Sequence, residues 1–532
     1  MCLRGIPRQM LVGAMCSAAL ADPATAQPTV RTANGTVAGN TFATGVSAFW
    51  GIPFAAPPVG DRRWKPPQPA TNWQGVRQAT RFGPQCMQAR VFADMVFRNE
   101  GTGEDCLYLN VWSPTPAVSS RLPVLVYIYG GGFIGGDGSE PRYDGENMAK
   151  RGVVVVTMSY RLGIFGFFAH PELSAESQAR ASGNYGLMDQ VAALRWVKAN
   201  IAAFGGDPAR VTIAGESAGS FSVSELMASP MARGLFAGAI GESGGAFGTT
   251  LRVQSREIME QNGVRFAAAV GAPSLAQLRA MSSHQLLAAA SQRGVPPFSP
   301  GVDGEFLPQS PEQIFAANRQ AMVPLLAGWN SEESSGRSLA PALTAESFLA
   351  SLTRIFGARA PEARAVYPGT TPLEIARAAT DLAGDQFIGY GTWKWLEEHG
   401  RSGQPVYRYF YSRARPPLPS STPVSAATEN RWASVPAGAA HSAEIEYAMG
   451  NLARNTAFGW TADDHAVSKT MMSYFVNFVK TGDPNGAGLP AWPLGRVDTS
   501  GNVMRMRIDV ESRAEPEPRA RYLFLQGAFT SR

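Results

Sequence analysis

The sequence has few cysteines and histidines, and this scarcity limits the metal sites that it can form. Only four cysteines and five histidines occur among 532 residues. No CxxC pair and no histidine-rich stretch is present, which argues against the usual structural zinc motifs. The composition therefore predicts a protein that binds no metal.

The sequence also lacks a strong excess of charge of either sign. It carries 47 Lys and Arg against 42 Asp and Glu, a formal net charge of +5, and no block of basic residues stands out. A nucleic-acid-binding protein would be expected to concentrate basic residues on one face. Hydrophobic residues make up 45% and charged residues 17% of the chain, which is typical of a globular protein. We therefore expect no nucleic-acid partner.

Long hydrophobic runs are missing as well. No stretch reaches the ~18 consecutive apolar residues that a membrane-spanning helix needs. A shorter apolar run, Met10–Ala21, follows Arg4 and Arg8, and the A-x-A sequence at residues 24–26 offers a cleavage site. This pattern predicts that residues 1–26 are a signal peptide that is removed on export, so that the mature chain is periplasmic or secreted.

Export changes the meaning of the four cysteines. Cys2 and Cys16 lie in the predicted signal peptide, which leaves Cys86 and Cys106 as an even pair. In an oxidising compartment, two remaining cysteines are expected to form a disulfide.

Strand-like and helix-like stretches alternate along the chain. Residues 122–133 (LPVLVYIYGGGF) and 152–161 (GVVVVTMSYR) contain apolar runs of the kind that lie buried in parallel sheets. Residues 186–204 have apolar side chains at helical spacing, and a turn and another strand follow. The alternation predicts an α/β fold with a large, mostly parallel central sheet flanked by helices, formed by residues 27–532 as a single domain. Residues 340–400 are predicted to be mostly helical, as a cap or side layer.

Two stretches, Gly215–Gly219 (GESAG) and Gly241–Gly245 (GESGG), fit the G-x-S-x-G pattern of a nucleophilic serine on a sharp turn. Ser217 follows a strand-like stretch and precedes a helix-like one, whose N-terminus can stabilise a developing oxyanion. Ser243 is followed by three glycines within residues 244–248, where a helix cannot start cleanly. Ser217 is therefore the predicted nucleophile, and Ser243 is expected at the end of a neighbouring strand.

A nucleophilic serine needs a base, and histidine is the obvious candidate. In hydrolases with this elbow the base follows both the nucleophile and the acid, which removes His170 and disfavours His284. His399 ends a predicted helix and is expected on the surface, and His465 is expected to be exposed in the first turn of another helix. His441 lies in a loop of small residues (PAGAAHSAEIEY) and is the predicted base.

The acid and the oxyanion hole are expected at the ends of other strands. Glu332 and Glu333 both follow the apolar strand Val323–Ala327, at the sheet edge where catalytic groups of open α/β sheets gather. Their positions alone do not choose between them. The consecutive glycines of YIYGGGF expose backbone N–H groups that can bind an oxyanion.

The longest of these stretches resemble the type-B carboxylesterase family, from about residue 28 to the C-terminus. The resemblance lies in EDCLYLNVW, YGGGF, the long run from GNYGLMDQ to GESAG, GWNSEE and AAHSAEIEY. It implies an α/β-hydrolase fold with helical cap-like insertions. It also implies a set of roles: Ser217 as nucleophile, Glu333 as acid, His441 as base, and the N–H groups of Gly131, Gly132 and Ala218 as the oxyanion hole.

The resemblance further implies a disulfide between Cys86 and Cys106, closing a loop near the mouth of the active-site gorge. The resemblance also implies that the hydroxyl of Ser243 is buried near the triad. The sequence departs from the common family pattern in two places. Tyr129 stands where many bacterial members have histidine, and the usual Asp-Glu-Gly around the acid is here Glu332-Glu333-Ser334.

The implied activity is that of an exported serine hydrolase of carboxylic esters, acting through an acyl-enzyme without metal or organic cofactor. Its partner is a small-molecule ester, either an aryl or alkyl ester or a bulky natural product such as a fumonisin-type tricarballylate ester. A lipase acting at interfaces is an alternative. A non-catalytic adhesion protein of the same fold is another, against which the intact triad argues. We expect the substrate pockets to be built from residues 244–250, 290–305 and 340–400.

Overall fold

The computed structural model of the chain describes residue 1 and residues 27–114, 117–418, 435 and 437–530. Apart from Met1, the predicted signal peptide lies outside the described residues. No helix in the described ranges combines the length and the hydrophobicity needed to cross a bilayer.

The strands of the described chain belong to one large sheet and three small ones. In chain order the strands are β1 (Thr29–Thr32), β2 (Gly35–Ala38), β3 (Asn40–Thr41), β4 (Ser47–Pro53), β5 (Val76–Gln78), β6 (Gln85–Cys86), β7 (Thr102–Gly103), β8 (Tyr108–Ser113), β9 (Leu122–Ile128), β10 (Val154–Met158), β11 (Gly206–Glu216), β12 (Gly238–Glu242), β13 (Gln254–Ser255), β14 (Gly301–Val302), β15 (Leu325–Asn330), β16 (Val406–Tyr411), β17 (Met504–Ile508) and β18 (Arg513–Pro516).

The α-helices of the described ranges occur mainly between and after these strands. They are α1 (Glu146–Ala149), α2 (Gly163–Phe167), α3 (Pro171–Glu176), α4 (Tyr185–Asn200), α5 (Ala218–Ala228), α6 (Arg256–Ala269), α7 (Leu275–Ala280), α8 (Ser283–Ala290), α9 (Pro311–Ala316), α10 (Ala345–Phe356), α11 (Ala360–Val366), α12 (Pro372–Gly384), α13 (Tyr390–Gly400), α14 (Ile445–Met449), α15 (Ala462–Thr481) and α16 (Arg519–Thr530).

The large sheet has 11 strands in the order β18-β17-β16-β15-β12-β11-β9-β10-β8-β4-β3. The central strands from β17 to β10 pair in parallel, whereas both edges pair antiparallel. Strands β10, β12, β15 and β16 are buried along their whole length, as continuous apolar strands covered on both faces should be. Helices α4, α5 and α15 contact β11, and α13 contacts β15 and β16. The predicted α/β-hydrolase architecture is thus confirmed, with a mixed rather than uniformly parallel sheet.

The register of the central strands brings the carboxyl ends of β11, β12 and β15 to the same level. Gly215 of β11 pairs with Gly241 of β12, and Gly241 pairs in turn with Ala327 of β15. Carboxyl ends of parallel strands meet at one edge of the sheet, where open α/β folds bind their ligands. Ser217 and Ser243 therefore lie at the same edge as the segment that follows β15.

The segment 340–400 is helical as predicted. It contains α10 to α13, and a single turn of π-helix, Asp385–Gly389, joins α12 directly to α13. The predicted helix within residues 186–204 is also confirmed, as α4 followed by a 3₁₀ turn.

Candidate active site

Ser217 occupies the sharp turn between β11 and α5. Its backbone has φ 53° and ψ −123°, a conformation that side-chain-bearing residues rarely adopt and that costs free energy. Gly219 permits the close approach of helix and sheet, because a Cβ there would collide with the carbonyl oxygen of Ile128. The turn therefore holds the serine hydroxyl at the end of the strand, as the GESAG pattern predicts.

Ser217, His441 and Glu333 form a continuous chain of polar contacts. Nε2 of His441 lies 2.9 Å from Oγ of Ser217, and Nδ1 lies 2.5 Å from Oε2 of Glu333. The other carboxylate oxygen of Glu333 accepts a hydrogen bond of 2.6 Å from the backbone N–H of Asn330. The carboxylate is thus oriented by its own strand end and in turn orients the imidazole.

Glu332 points elsewhere. Its Oε2 accepts a hydrogen bond of 2.6 Å from the backbone N–H of Gly438, and Glu332 forms an isolated β-bridge with Ala440. The two neighbouring carboxylates therefore divide their contacts, since Glu333 reaches the imidazole while Glu332 holds the backbone just before His441.

The glycines after β9 border the same cavity as Ser217 and His441, which has a volume of about 340 Å³. Within the described chain, the N–H groups of Gly131 and Gly132 donate to no other backbone group. Ala218 is the first residue of α5, where N–H groups lack partners inside the helix. The three donors assigned to an oxyanion hole are thus available near Ser217.

Three further buried carboxyl groups surround the triad, and the sequence analysis did not assign them. Oε1 of Glu216 lies 3.3 Å from Nε2 of His441. Burial raises the pKa of Glu216, Glu242 and Glu444. Glu216 and Glu242 are the residues just before the serines of the two G-x-S-x-G motifs. This repeated glutamate is the feature of the sequence that could have identified them.

One of these carboxyl groups, that of Glu444, connects Ser243 to Glu333 through Asn330. Oγ of Ser243 donates a hydrogen bond of 3.1 Å to Glu444, and Nδ2 of Asn330 donates one of 2.5 Å to the other oxygen of Glu444. Asn330 also binds Glu333 through its backbone N–H. Ser243 is fully buried at the end of β12, as expected, and it shares the positive φ of Ser217.

The electrostatic surroundings change the acidity of His441. Burial alone would lower the pKa of its imidazole, but the negative charges of Glu216 and Glu333 outweigh burial and raise the pKa above its ordinary value of 6.5. The carboxylates therefore stabilise the imidazolium form, which is the form that a base reaches after accepting a proton.

Similar proteins identify the family of this chain. The profile of the Carboxylesterase family matches residues 26–523. The chain belongs to the carboxylesterase family. It is 36% identical to the fumonisin B1 esterase of Sphingopyxis macrogoltabida over 490 residues, which cover 88% of this chain and 84% of that protein. It is 34% identical to liver carboxylesterase 1 of Oryctolagus cuniculus, with 90% and 91% of the two chains covered.

Solved structures give the same result. The carboxylesterase EST55 of Geobacillus stearothermophilus superposes with a TM-score of 0.78 at 33% identity, covering 93% of this chain and 99% of the other. A PNB esterase superposes with a TM-score of 0.74, also at 33% identity, with 92% and 98% covered. The protein is thus an enzyme that hydrolyses carboxylic esters.

The cavity of this carboxylesterase draws on segments that the sequence analysis named only in part. Residues 244–250 contribute Thr250, and the helical segment contributes Phe387 and Ile388, but none of the described lining residues comes from 290–305. The remaining side chains on the wall, apart from Glu216, Ser217 and His441, are Phe92, Asp94, Met95, Arg142, Phe221, Leu251 and Ser442.

The predicted disulfide is present and its loop reaches the cavity. Cys86 and Cys106 are bonded, with their Cα atoms 4.9 Å apart. Phe92, Asp94 and Met95 lie within the closed loop and on the cavity wall. The position near the mouth that the family resemblance implies is therefore consistent with the structure.

The prediction that His399 lies on the surface was wrong. The residue is fully buried, and its Nε2 lies 2.8 Å from the carbonyl oxygen of Val323. The last turn of α13 packs against the segment that enters β15, so its histidine faces inward. His465 is exposed as predicted. Among the described residues, no three or more His, Cys, Asp or Glu side chains are grouped to hold a metal ion.

Proposed function

We propose that the carboxylesterase acts through an acyl-enzyme formed on Ser217. The observation that carries the proposal is the contact chain from Ser217 through His441 to Glu333, beside a cavity that Gly131 and Gly132 border. His441 takes the proton of Ser217, and the serine oxygen attacks the ester carbonyl. The N–H groups of Gly131, Gly132 and Ala218 stabilise the oxyanion of the tetrahedral intermediate, in residue positions that the family resemblance assigns.

The first half of the reaction ends when His441 gives that proton to the departing alcohol, which leaves the acyl group on Ser217. In the second half His441 takes a proton from water, the water oxygen attacks the acyl carbonyl, and the proton returns to the Ser217 oxygen as the acid leaves. Glu333 fixes the tautomer of His441 and stabilises its cation. We assign Glu332 a supporting part, since its contact with Gly438 holds the loop that carries the base. The cycle needs no metal or organic cofactor, so EDTA should leave the activity unchanged.

The substrate in this proposal is a small-molecule carboxylic ester, either an aryl or alkyl ester or a bulky natural-product ester. The relative named fumonisin B1 esterase supports the second class. We also propose that residues 27–532 form one domain that is exported to the periplasm or the medium after removal of residues 1–26.

The two G-x-S-x-G serines provide the test of the proposed nucleophile. Ser217→Ala should lower turnover by a factor on the order of 10⁶. A fluorophosphonate probe should label the wild type once, on the peptide that contains GESAG. The matched control is Ser243→Ala, which removes only the hydrogen bond to Glu444 and should cost about 1–3 kcal/mol while labelling at Ser217 persists. A label on the GESGG peptide, with Ser217→Ala still active, would contradict the assignment.

A further inference from the structure

Arg142 places a guanidinium group on the wall of the catalytic cavity. The cavity that holds Ser217 and His441 also has Arg142 on its wall, and the arginine side chain is only 6% exposed. Much of the remaining lining is apolar: Phe92, Met95, Phe221, Leu251, Phe387 and Ile388. A nearly buried cation among such side chains is a strong and directional charge, because little water screens it.

The contacts of Arg142 bring this cation close to the base. Nη1 donates a long hydrogen bond of 3.4 Å to Oγ of Ser442, the residue that directly follows His441. Nε donates a hydrogen bond of 2.7 Å to Glu140, a buried carboxylate that supports the guanidinium from behind. The charge is therefore adjacent to the reacting groups and held in place.

One edge of the guanidinium is open. Nη2 donates to no other described residue, and it does not belong to the fully buried polar atoms without partners. It therefore keeps some exposure, and Arg142 lines the cavity. A guanidinium with a free N–H edge is suited to a carboxylate, which it can bind through parallel hydrogen bonds.

Asp94 shows that a carboxylate fits beside Nη1, the other terminal nitrogen of the guanidinium. Its Oδ2 lies 3.6 Å from Nη1 of Arg142, and its side chain is 63% exposed on the disulfide loop. An ion pair with so exposed a partner is weak, so a ligand can replace Asp94 at low cost.

We propose that Arg142 binds a carboxylate of the substrate, so that the preferred esters carry a free carboxylate near the ester that is cleaved. The inference rests on the proposed function, because it takes the cavity around Ser217 as the site of hydrolysis. It assigns the substrate class of that site and a residue that determines specificity. Cationic esters, which Asp94 would favour, are the opposing outcome.

The test compares charged and uncharged esters of nearly equal shape. Mono-4-nitrophenyl adipate places the carboxylate on the acyl side, and 3-acetoxybenzoate places it on the alcohol side. Each is paired with its primary amide, which removes the charge. The measured quantity is the ratio of kcat/KM for the anion to kcat/KM for the amide at low ionic strength, so that a general loss of activity cancels.

In the wild type the ratio should exceed one for at least one pair. Arg142→Met should lower that ratio by about tenfold or more, since a charge-assisted pair is lost, and Arg142→Lys should lower it less because the charge remains without the planar fork. Asp94→Asn should raise the ratio by removing the competing carboxylate. The matched control is Arg413→Met, which loses an ion pair of 2.7 Å with Asp464 away from the cavity wall and should leave the ratio unchanged.

The outcomes separate the two proposals. Three results would overturn the carboxylate assignment while neutral esters are still cleaved. The first is a wild-type ratio below one for both pairs, and the second is a preference for cationic esters. The third is a ratio that both Arg142→Met and Asp94→Asn leave unchanged. A wild type labelled by fluorophosphonate away from Ser217 would instead overturn the proposed function itself.

Discussion

In the proposed mechanism, single residues around His441 determine the pH at which the enzyme works. The base must be neutral to accept the serine proton, and the carboxylates of Glu216 and Glu333 favour its protonated form. A raised pKa means that activity appears only as pH rises through that higher value. We therefore expect kcat/KM to increase with pH and to reach half its plateau above pH 6.5, the ordinary value for histidine.

A substitution at Glu216 tests the same prediction. Glu216→Gln removes the negative charge whose Oε1 lies 3.3 Å from Nε2 of His441, so the midpoint of the profile should move to lower pH. The control is Glu225→Gln, another buried carboxyl, on α5, without a hydrogen-bond partner among the described residues. The midpoint of the pH profile of Glu225→Gln should equal that of the wild type. A wild-type midpoint at or below pH 6.5, or no movement in Glu216→Gln, would contradict this account.

The choice between Glu332 and Glu333 shows what the sequence could not decide at this scale. Both residues follow an apolar strand, and both are equally able to orient an imidazole. The decision depends on how the loop from Gly438 to His441 pairs with the end of β15, where Glu332 bridges Ala440. That contact joins segments about a hundred residues apart, so the local sequence pattern does not predict it. The family resemblance chose Glu333, which is the carboxylate that contacts His441.

Among the elements, the π-helical turn Asp385–Gly389 shapes the cavity beside the base. A π-turn widens a helix by one residue and often occurs at functional sites. Here it carries Phe387, which is 36% exposed and whose ring centroid lies 5.3 Å from that of His441 in an edge-to-face arrangement. The inserted residue thus brings an aromatic side chain from the helical segment to His441, the proposed base.

We expect Phe387→Ala to change specificity at this wall. Loss of the aromatic contact should lower kcat/KM for small aromatic esters by about 2- to 10-fold, since aromatic pairs contribute ~0.5–1.5 kcal/mol, and bulkier acyl groups should be affected less or gain. The measurement compares 4-nitrophenyl acetate, benzoate and naphthoate. Leu373→Ala, which truncates an exposed apolar residue of α12 away from the cavity, is the control. Equal changes for all three esters would count against a role in specificity.

The sequence predicted the buried helices and strands better than the exposed ones. Apolar runs long enough to fill both faces of a sheet predicted β9 and β10, and helical spacing predicted α4. The antiparallel edges were not predicted, because strands such as β3 and β18 are short and largely exposed or half-buried and show no hydrophobic signature. The π-turn was also missed, since one additional residue does not disturb the periodicity of the flanking helices.

At the scale of the whole molecule, the sheet order explains why distant motifs form one site. Strands β9, β11, β12 and β15 are neighbours in the large sheet, and the glycine loop, both serine turns and Glu333 follow their carboxyl ends. His441 arrives from a loop beyond β16. The order of neighbours was not predicted from the residues, because strand pairing depends on contacts between segments far apart in the chain. The resemblance to the family implied the α/β-hydrolase fold but did not state this order.

The disulfide connects the stability of the whole fold to the compartment in which it matures. Cys86 and Cys106 are 20 residues apart, and closing a loop of this size should stabilise the folded chain by about 3 kcal/mol through the entropy of the unfolded state. The double variant Cys86→Ala/Cys106→Ala should therefore lower the free energy of unfolding by that amount in urea titrations.

The disulfide loop also carries Phe92 and Met95 on the cavity wall, so the double variant should raise KM more than it lowers kcat. Reduced wild-type protein, which keeps both side chains, is the control that separates loss of the bond from loss of the thiols. Protein recovered from the periplasm or the medium should begin at Gln27 and contain a Cys86–Cys106 peptide in mass spectra. Two free thiols in exported protein, or a full-length N-terminus with normal activity, would show that folding requires neither the bond nor the oxidising compartment that the sequence predicts.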